Sequence, residues 1–144
     1  GLVGSEMCIR DSYGYRWMLH RPNPDMFSKQ GVCISTAAGA GMKWTNKDMA
    51  DSMFFWGMGK IYRYGTVAHA LNYKSISPKK MEEIEKATDK LAEKIRRNYG
   101  HVKPGLKTKA YFGVMRKLVK SGWNEVDVAY WKEHGWTEKA RPWK

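Results

Sequence analysis

The sequence predicts an α/β fold built on parallel strands. Short apolar runs bounded by turn signals alternate with stretches of helical periodicity, the pattern of strands joined through helices. The first such run passes into a helix through a loop stripped to small residues. A hydrophobic content of 42% with 7 Trp places the chain among globular rather than disordered proteins.

Residues 13–20 (YGYRWMLH) fit the last turns of a helix, which RPNP at 21–24 stops, because proline cannot continue a helix and restrains its predecessor. Residues 31–36 (GVCIST) read as a strand buried on both faces. After the small-residue loop Thr45 is a good N-cap, with Asp48 completing an approximate capping box. Met49, Met53 and Trp56 recur at helical spacing, and Gly57 ends the helix. Residues 60–70 (KIYRYGTVAHA) are rich in strand formers. Ser77 and Pro78 then open a long helix as N-cap and N1 proline. Its expected buried stripe is Met81, Ile84, Thr88, Leu91, Ile95 and Tyr99, with Gly100 at its end. The succession helix end, strand, loop, helix, strand, helix is the back half of an α/β unit with parallel strands joined by crossovers.

From His101 the pattern turns helical. Tyr111, Met115, Leu118 and Val119 share one face of a helix ending at Gly122. A second helix is capped by Asn124, carries Asp127 in its first turn and stops at Gly135. Both are expected to pack back on the domain or on a partner subunit. The chain thus divides into residues 1–12, a partial α/β domain at 13–100 and a helical extension at 101–144. Residues 1–12 (GLVGSEMCIRDS) show neither periodicity nor the features of a signal peptide. They look like a peptide produced when sequencing-adapter DNA is translated, and are set aside as a non-native scar. The remainder then reads as the back part of a longer protein.

Cys8 and Cys33 form no CxxC pair, and Cys33 sits in an apolar run, which suggests a reducing, cytoplasmic setting and an inert thiol. No stretch approaches the length of a membrane span. The net charge of +12 admits nucleic acid, acidic membrane or an anionic cofactor as partner. Between Lys79 and Lys109, however, basic residues alternate with Glu82, Glu83, Glu85, Asp89 and Glu93, which reads as a solvated helix face. General basicity is weaker support for nucleic-acid binding than a patch would be.

The loop between the first strand and the following helix holds the most chemistry. In open parallel sheets ligands bind beyond the carboxyl ends of the strands. A helix N-terminus there offers free N–H groups and the positive end of its dipole. Removing side chains lets that backbone come within hydrogen-bond range of a flat or anionic ligand. The loop lacks the GxxxxGK[ST] phosphate motif. Its Gly39 and Gly41 begin a GxGxxG fingerprint that finds Trp44 where the third glycine belongs. No HExxH, CxxC or His/Asp/Glu cluster suggests a metal. A merely permissive strand-to-helix turn is the plain structural alternative.

The segments YGYRWMLHRPNPDMF, GVCISTAAGAGM and FFWGMGKIY, with YWKEHGW at 130–136, resemble the C-terminal half of the flavodoxin-like, NAD(P)H-dependent FMN reductase family. The resemblance implies a doubly wound parallel sheet in the order 2-1-3-4-5 with FMN at the switch point. Two strands and flanking helices of that sheet would be present here, followed by the C-terminal helical extension. It also implies a homo-oligomeric oxidoreductase that passes electrons from NAD(P)H through FMN to a quinone, flavin or other small-molecule acceptor. Ser35, Thr36, Ala37, Ala38, Gly39, Ala40, Gly41 and Met42 match the family loop beside the flavin ring and are the candidate cofactor contacts. The family's phosphate-binding loop and a second ring-contacting loop have no counterpart here; their places would lie before Tyr13. No side chain is assigned a catalytic role, because hydride chemistry belongs to the flavin.

Other residues take humbler expectations. Trp44 is read as packing beside the loop, with covering the flavin as its functional alternative. Phe54, Phe55 and Trp56 read as core or subunit contact, His20 as a cap or surface residue, and His69 as a substrate contact at the ligand edge. Tyr130, Trp131 and Trp136 fit docking or oligomerisation. The competing functions are a basic helical or nucleic-acid-binding module without flavin, and a fragment inactive by itself.

Overall fold

The computed structural model describes residues 20–68, 70 and 72–143. The expectations for residues 1–12, for the helix over 13–20 up to its last residue, and for His69 fall outside them. The described residues form a mixed α/β structure. Strand β1 (Gln30–Ala37) leads into helix α1 (Met42–Phe55), strand β2 (Lys60–Val67), helix α2 (Pro78–Asn98), helix α3 (Leu106–Lys120) and helix α4 (Glu125–Glu133). A 3-10 turn, Pro24–Ser28, precedes β1, and another, Tyr73–Ser75, follows β2.

The strands pair in parallel, with Gln30 opposite Lys60 and Ala37 opposite Val67. A parallel pair needs a crossover, and α1 supplies it. One face of the sheet receives α1: Cys33 Sγ lies 3.6 Å from Met53 Sδ. Gly65 is what lets the start of α1 settle so closely, since a Cβ there would stand 3.0 Å from Met42 Cβ and 3.1 Å from Asn46 Nδ2. Side chains alternate along a strand, so Gln30 and Tyr62 project to the other face. There Gln30 Nε2 donates to Ile95 O at 3.1 Å, and Asn98 Nδ2 to the Tyr62 hydroxyl at 3.1 Å, which fastens α2 across the sheet.

Several boundaries follow the sequence. Ser77 caps α2 by accepting from Lys80 N, with Pro78 opening the helix. Asn124 caps α4 by accepting from Val126 N and Asp127 N. Others move. β1 runs one residue beyond each end of the expected strand, and β2 stops at Val67 rather than at Ala70. The start of α1 is Met42, not the residue after Thr45. Gly41 takes the N-cap place, and the Thr45 hydroxyl turns back onto Gly41 O at 3.3 Å.

The stripe expected to be buried on α2 is only half-covered. None of its residues is fully buried, and Tyr99 is 79% exposed. Two strands spaced by about 5 Å make too narrow a floor for a helix about 10 Å wide. The main core lies instead where the tail returns: Phe27, Phe54, Phe112, Met115, Val119, Trp131 and Trp136 form one cluster. Leu118, assigned to the packed face of α3, is 42% exposed, while Phe112 takes the buried position. Trp131 and Trp136 therefore pack inside this chain, which agrees with the docking alternative of their reading and not with an exposed oligomerisation surface. Among the described residues no helix is long and apolar enough to cross a membrane.

Candidate functional site

The small-residue segment stands at the carboxyl end of the parallel pair, where β1 finishes at Ala37 beside Val67 of β2. Ser35, Thr36 and Ala37 belong to the strand and Met42 to the helix, so the free loop is only Ala38, Gly39, Ala40 and Gly41. All four are exposed. Gly41 adopts φ 102, a left-handed conformation that lets the chain turn straight into α1 and that a side chain would strain. Among the described residues no atom beyond the chain neighbours comes within 4 Å of the place a Cβ would take at Gly39 or Gly41.

Here α1 begins without a side-chain cap. Its first helical bonds are Trp44 N and Thr45 N to Gly41 O, at 3.0 and 3.1 Å. The N–H groups before them are the unsatisfied donors of a helix start, and the dipole adds positive potential at the same place. Asn46 holds this end down. It is buried in the first turns of α1 and its Nδ2 donates to Tyr64 O at 3.0 Å, while Ser35 Oγ lies 3.5 Å from Met42 O. Asn46 went unnoticed in the sequence, where an Asn within a helix reads as a solvated residue.

Trp44 overturns its expected packing role. It is 66% exposed in the first turn of α1, with Lys43 Nζ 5.9 Å from its ring centre. Cys33 is buried, as expected, and burial pushes its thiol above the ordinary value of 9.0. Phe54 joins the core.

A second constellation was not legible at all. His20, expected at the surface, is 4% exposed and its Nδ1 bonds to Asp127 Oδ2. Arg21 Nε lies 3.6 Å from Asp127 Oδ1, and the Tyr130 hydroxyl donates to Pro22 O at 2.9 Å. Trp123 stacks on the His20 ring at 5.1 Å. The HRP segment is thus clasped by α4, more than a hundred residues away. Partners so distant in sequence leave no local spacing to detect.

Burial, with Glu133 nearby, raises Tyr130 above its ordinary 10.0, Arg21 opposing; burial also raises Tyr111. A folded pKa above the unfolded one means that stability is full below about pH 10 and is lost as pH rises through the folded value. Tyr130→Phe removes the ionisable group. Its alkaline denaturation curve is expected to lie above pH 10 relative to the parent's, measured by circular dichroism against pH.

Elsewhere a cleft of about 440 Å³ opens between the end of α3 and α4, lined by Val119, Lys120, Val128, Lys132 and Glu138. It contains none of the candidate loop residues. Among the described residues no group of His, Cys, Asp and Glu is arranged to hold a metal ion. Comparison of the chain with protein-family models, with curated proteins and with solved structures found no match.

Proposed function

We propose that this chain is the C-terminal part of an FMN-dependent NAD(P)H oxidoreductase, with the loop Ala38–Gly41 and the start of α1 as its contribution to the flavin site. The observation that carries the reading is a bare, unobstructed main chain at the carboxyl end of a parallel strand pair, running into an uncapped helix start. The fit to a flat ring is steric and electrostatic together. Among the described residues no side chain fills the approach to Gly39 and Gly41, and the start of α1 leaves N–H groups without intrahelical partners that would donate to polar ring atoms.

FMN, when bound, supplies hydride transfer between NAD(P)H and an electron acceptor of the quinone or flavin class. The protein's own part is positional. The loop N–H groups and the positive end of α1 favour negative charge at the ring edge they face, which eases its reduction. Asn46 keeps that helix end pressed on the sheet. Trp44, exposed in the same turn, would flank the ring and shape the approach of the second substrate. A reduced cytoplasmic setting and homo-oligomeric assembly complete the proposal.

Gly39→Leu tests it cleanly, because residue 39 has open space and no left-handed backbone. The substituted chain should keep its thermal stability while its affinity for lumiflavin, the ring without a phosphate tail, falls by about tenfold or more, equivalent to about 1.4 kcal/mol. Flavin fluorescence quenching reads this directly. Equal quenching by parent and variant would remove the loop from any flavin site.

A further inference from the structure

Between Lys94 and Asn124 the chain carries nine Lys and Arg and no Asp or Glu. The alternation of charge along α2 therefore stops near its C-terminus, and α3 lies wholly inside an acid-free stretch. The alternation expected between Lys79 and Lys109 thus ends at Glu93. One side of α3 buries Thr108, Phe112, Met115 and Val119. The other side is not simply polar. It presents Leu106, 85% exposed, and eight and twelve residues on Val114 at 55% and Leu118 at 42%, with Ala110 between. Lys109, Lys117 and Lys120 are exposed on the same helix, and among the described residues no carboxylate pairs with them.

Exposed aliphatic side chains interleaved with unpaired lysines on a convex helix suit a flat, anionic, partly apolar surface. We infer that α3 docks on an anionic lipid bilayer, with Leu106, Val114 and Leu118 entering the headgroup–acyl boundary. Lys109, Lys117 and Lys120 lay their stems along it and carry their ammonium groups to the lipid phosphates and carboxylates. Nucleic acid would use the lysines and leave the aliphatic ladder in water. An acidic peptide helix would need a continuous apolar groove, whereas here the exposed aliphatic side chains alternate with exposed lysines. The net charge of +12 adds longer-range attraction to the same surface. Lying on a bilayer requires no spanning helix, and this contact stands apart from the flavin reading.

Flotation of the full chain with vesicles tests it, since aggregates sink while bound protein rises. Vesicles of phosphatidylcholine mixed with phosphatidylserine should carry the chain upward, and phosphatidylcholine alone should not. Lys109→Gln, Lys117→Gln and Lys120→Gln together are expected to lower partitioning ~100-fold, or ~5-fold per lysine. Leu106→Gln, Val114→Gln and Leu118→Gln together should lower it by about tenfold or more, with circular dichroism unchanged because the side chains are exposed. Equal flotation with both vesicle types overturns the inference. So does full retention of vesicle binding by the Gln ladder variant, or a tighter hold on duplex DNA that only the lysine variant loses.

Discussion

Trp131→Ala is expected to leave the chain largely without its tertiary core. Trp131 is 0% exposed, and its ring stacks on Phe112 at 4.6 Å and meets Trp136 edge-on at 5.8 Å. Its indole N–H also donates to His20 O. Truncating a buried tryptophan costs about 3–5 kcal/mol through lost burial and the cavity left behind. Loss of that hydrogen bond adds about 0.5–1.5 kcal/mol. Against a typical domain stability of about 5–15 kcal/mol, that is most or all of the margin at the lower end. The sheet cannot compensate, because among the described residues it has two strands and half-covers α2. Urea unfolding followed by near-ultraviolet circular dichroism should show the midpoint collapsing toward zero denaturant. Trp131→Phe, which keeps an aromatic ring but loses the N–H donor, should fall between. If the alanine variant kept its parent's midpoint, the tail helices would contribute little to the fold.

The α/β half of the chain was readable because its signals are local. Ser77 and Pro78 announce a helix start by their own chemistry, and Asn124 does the same for α4. The parallel pairing of β1 and β2 followed from two strand-like runs joined through a helix. The position of the small-residue loop at the strand ends followed from that order. What could not be read was set by contacts between distant segments. Phe112 replaces Leu118 on the inner side of α3 because Phe27 and Trp131 are waiting there, and Trp131 comes from a helix not yet reached. Thr45 looked like a cap because its side chain can cap. Gly41 turns the chain four residues earlier because Gly65 lets α1 lie low on the sheet. At the candidate site the bare loop was visible in the sequence, whereas the exposure of Trp44 and the anchoring by Asn46 depend on where the sheet ends.

Asp127→Leu is the second substitution with a large expected cost, and its logic is electrostatic. Asp127 is 2% exposed and sits between His20, to which it is hydrogen-bonded, and Arg21, whose Nε is 3.6 Å from its other oxygen. Removing the carboxylate leaves a buried imidazole deprived of that bond. Deleting one partner of a buried hydrogen bond typically costs about 1–3 kcal/mol, more for charged groups, whereas replacing both partners by apolar groups of similar shape costs less. The double substitution His20→Leu with Asp127→Leu should therefore be less damaging than Asp127→Leu alone. A coupling of about 0.5–3 kcal/mol is expected between the two positions in a double-mutant cycle of urea midpoints. Additive losses would instead mean that the segment before β1 is held by the Tyr130 and Trp131 bonds to Pro22 O and His20 O. The clasp matters for the candidate site through a continuous path of packing. It fixes the entry to Phe27, which lies against the turn at Gly57 where α1 ends, and α1 carries Gly41, Trp44 and Asn46 at its other end. Loosening the clasp is thus expected to weaken the proposed flavin binding only as far as it frees α1, so Asp127→Leu should lose lumiflavin affinity in step with stability, whereas Gly39→Leu is expected to lose affinity with stability intact.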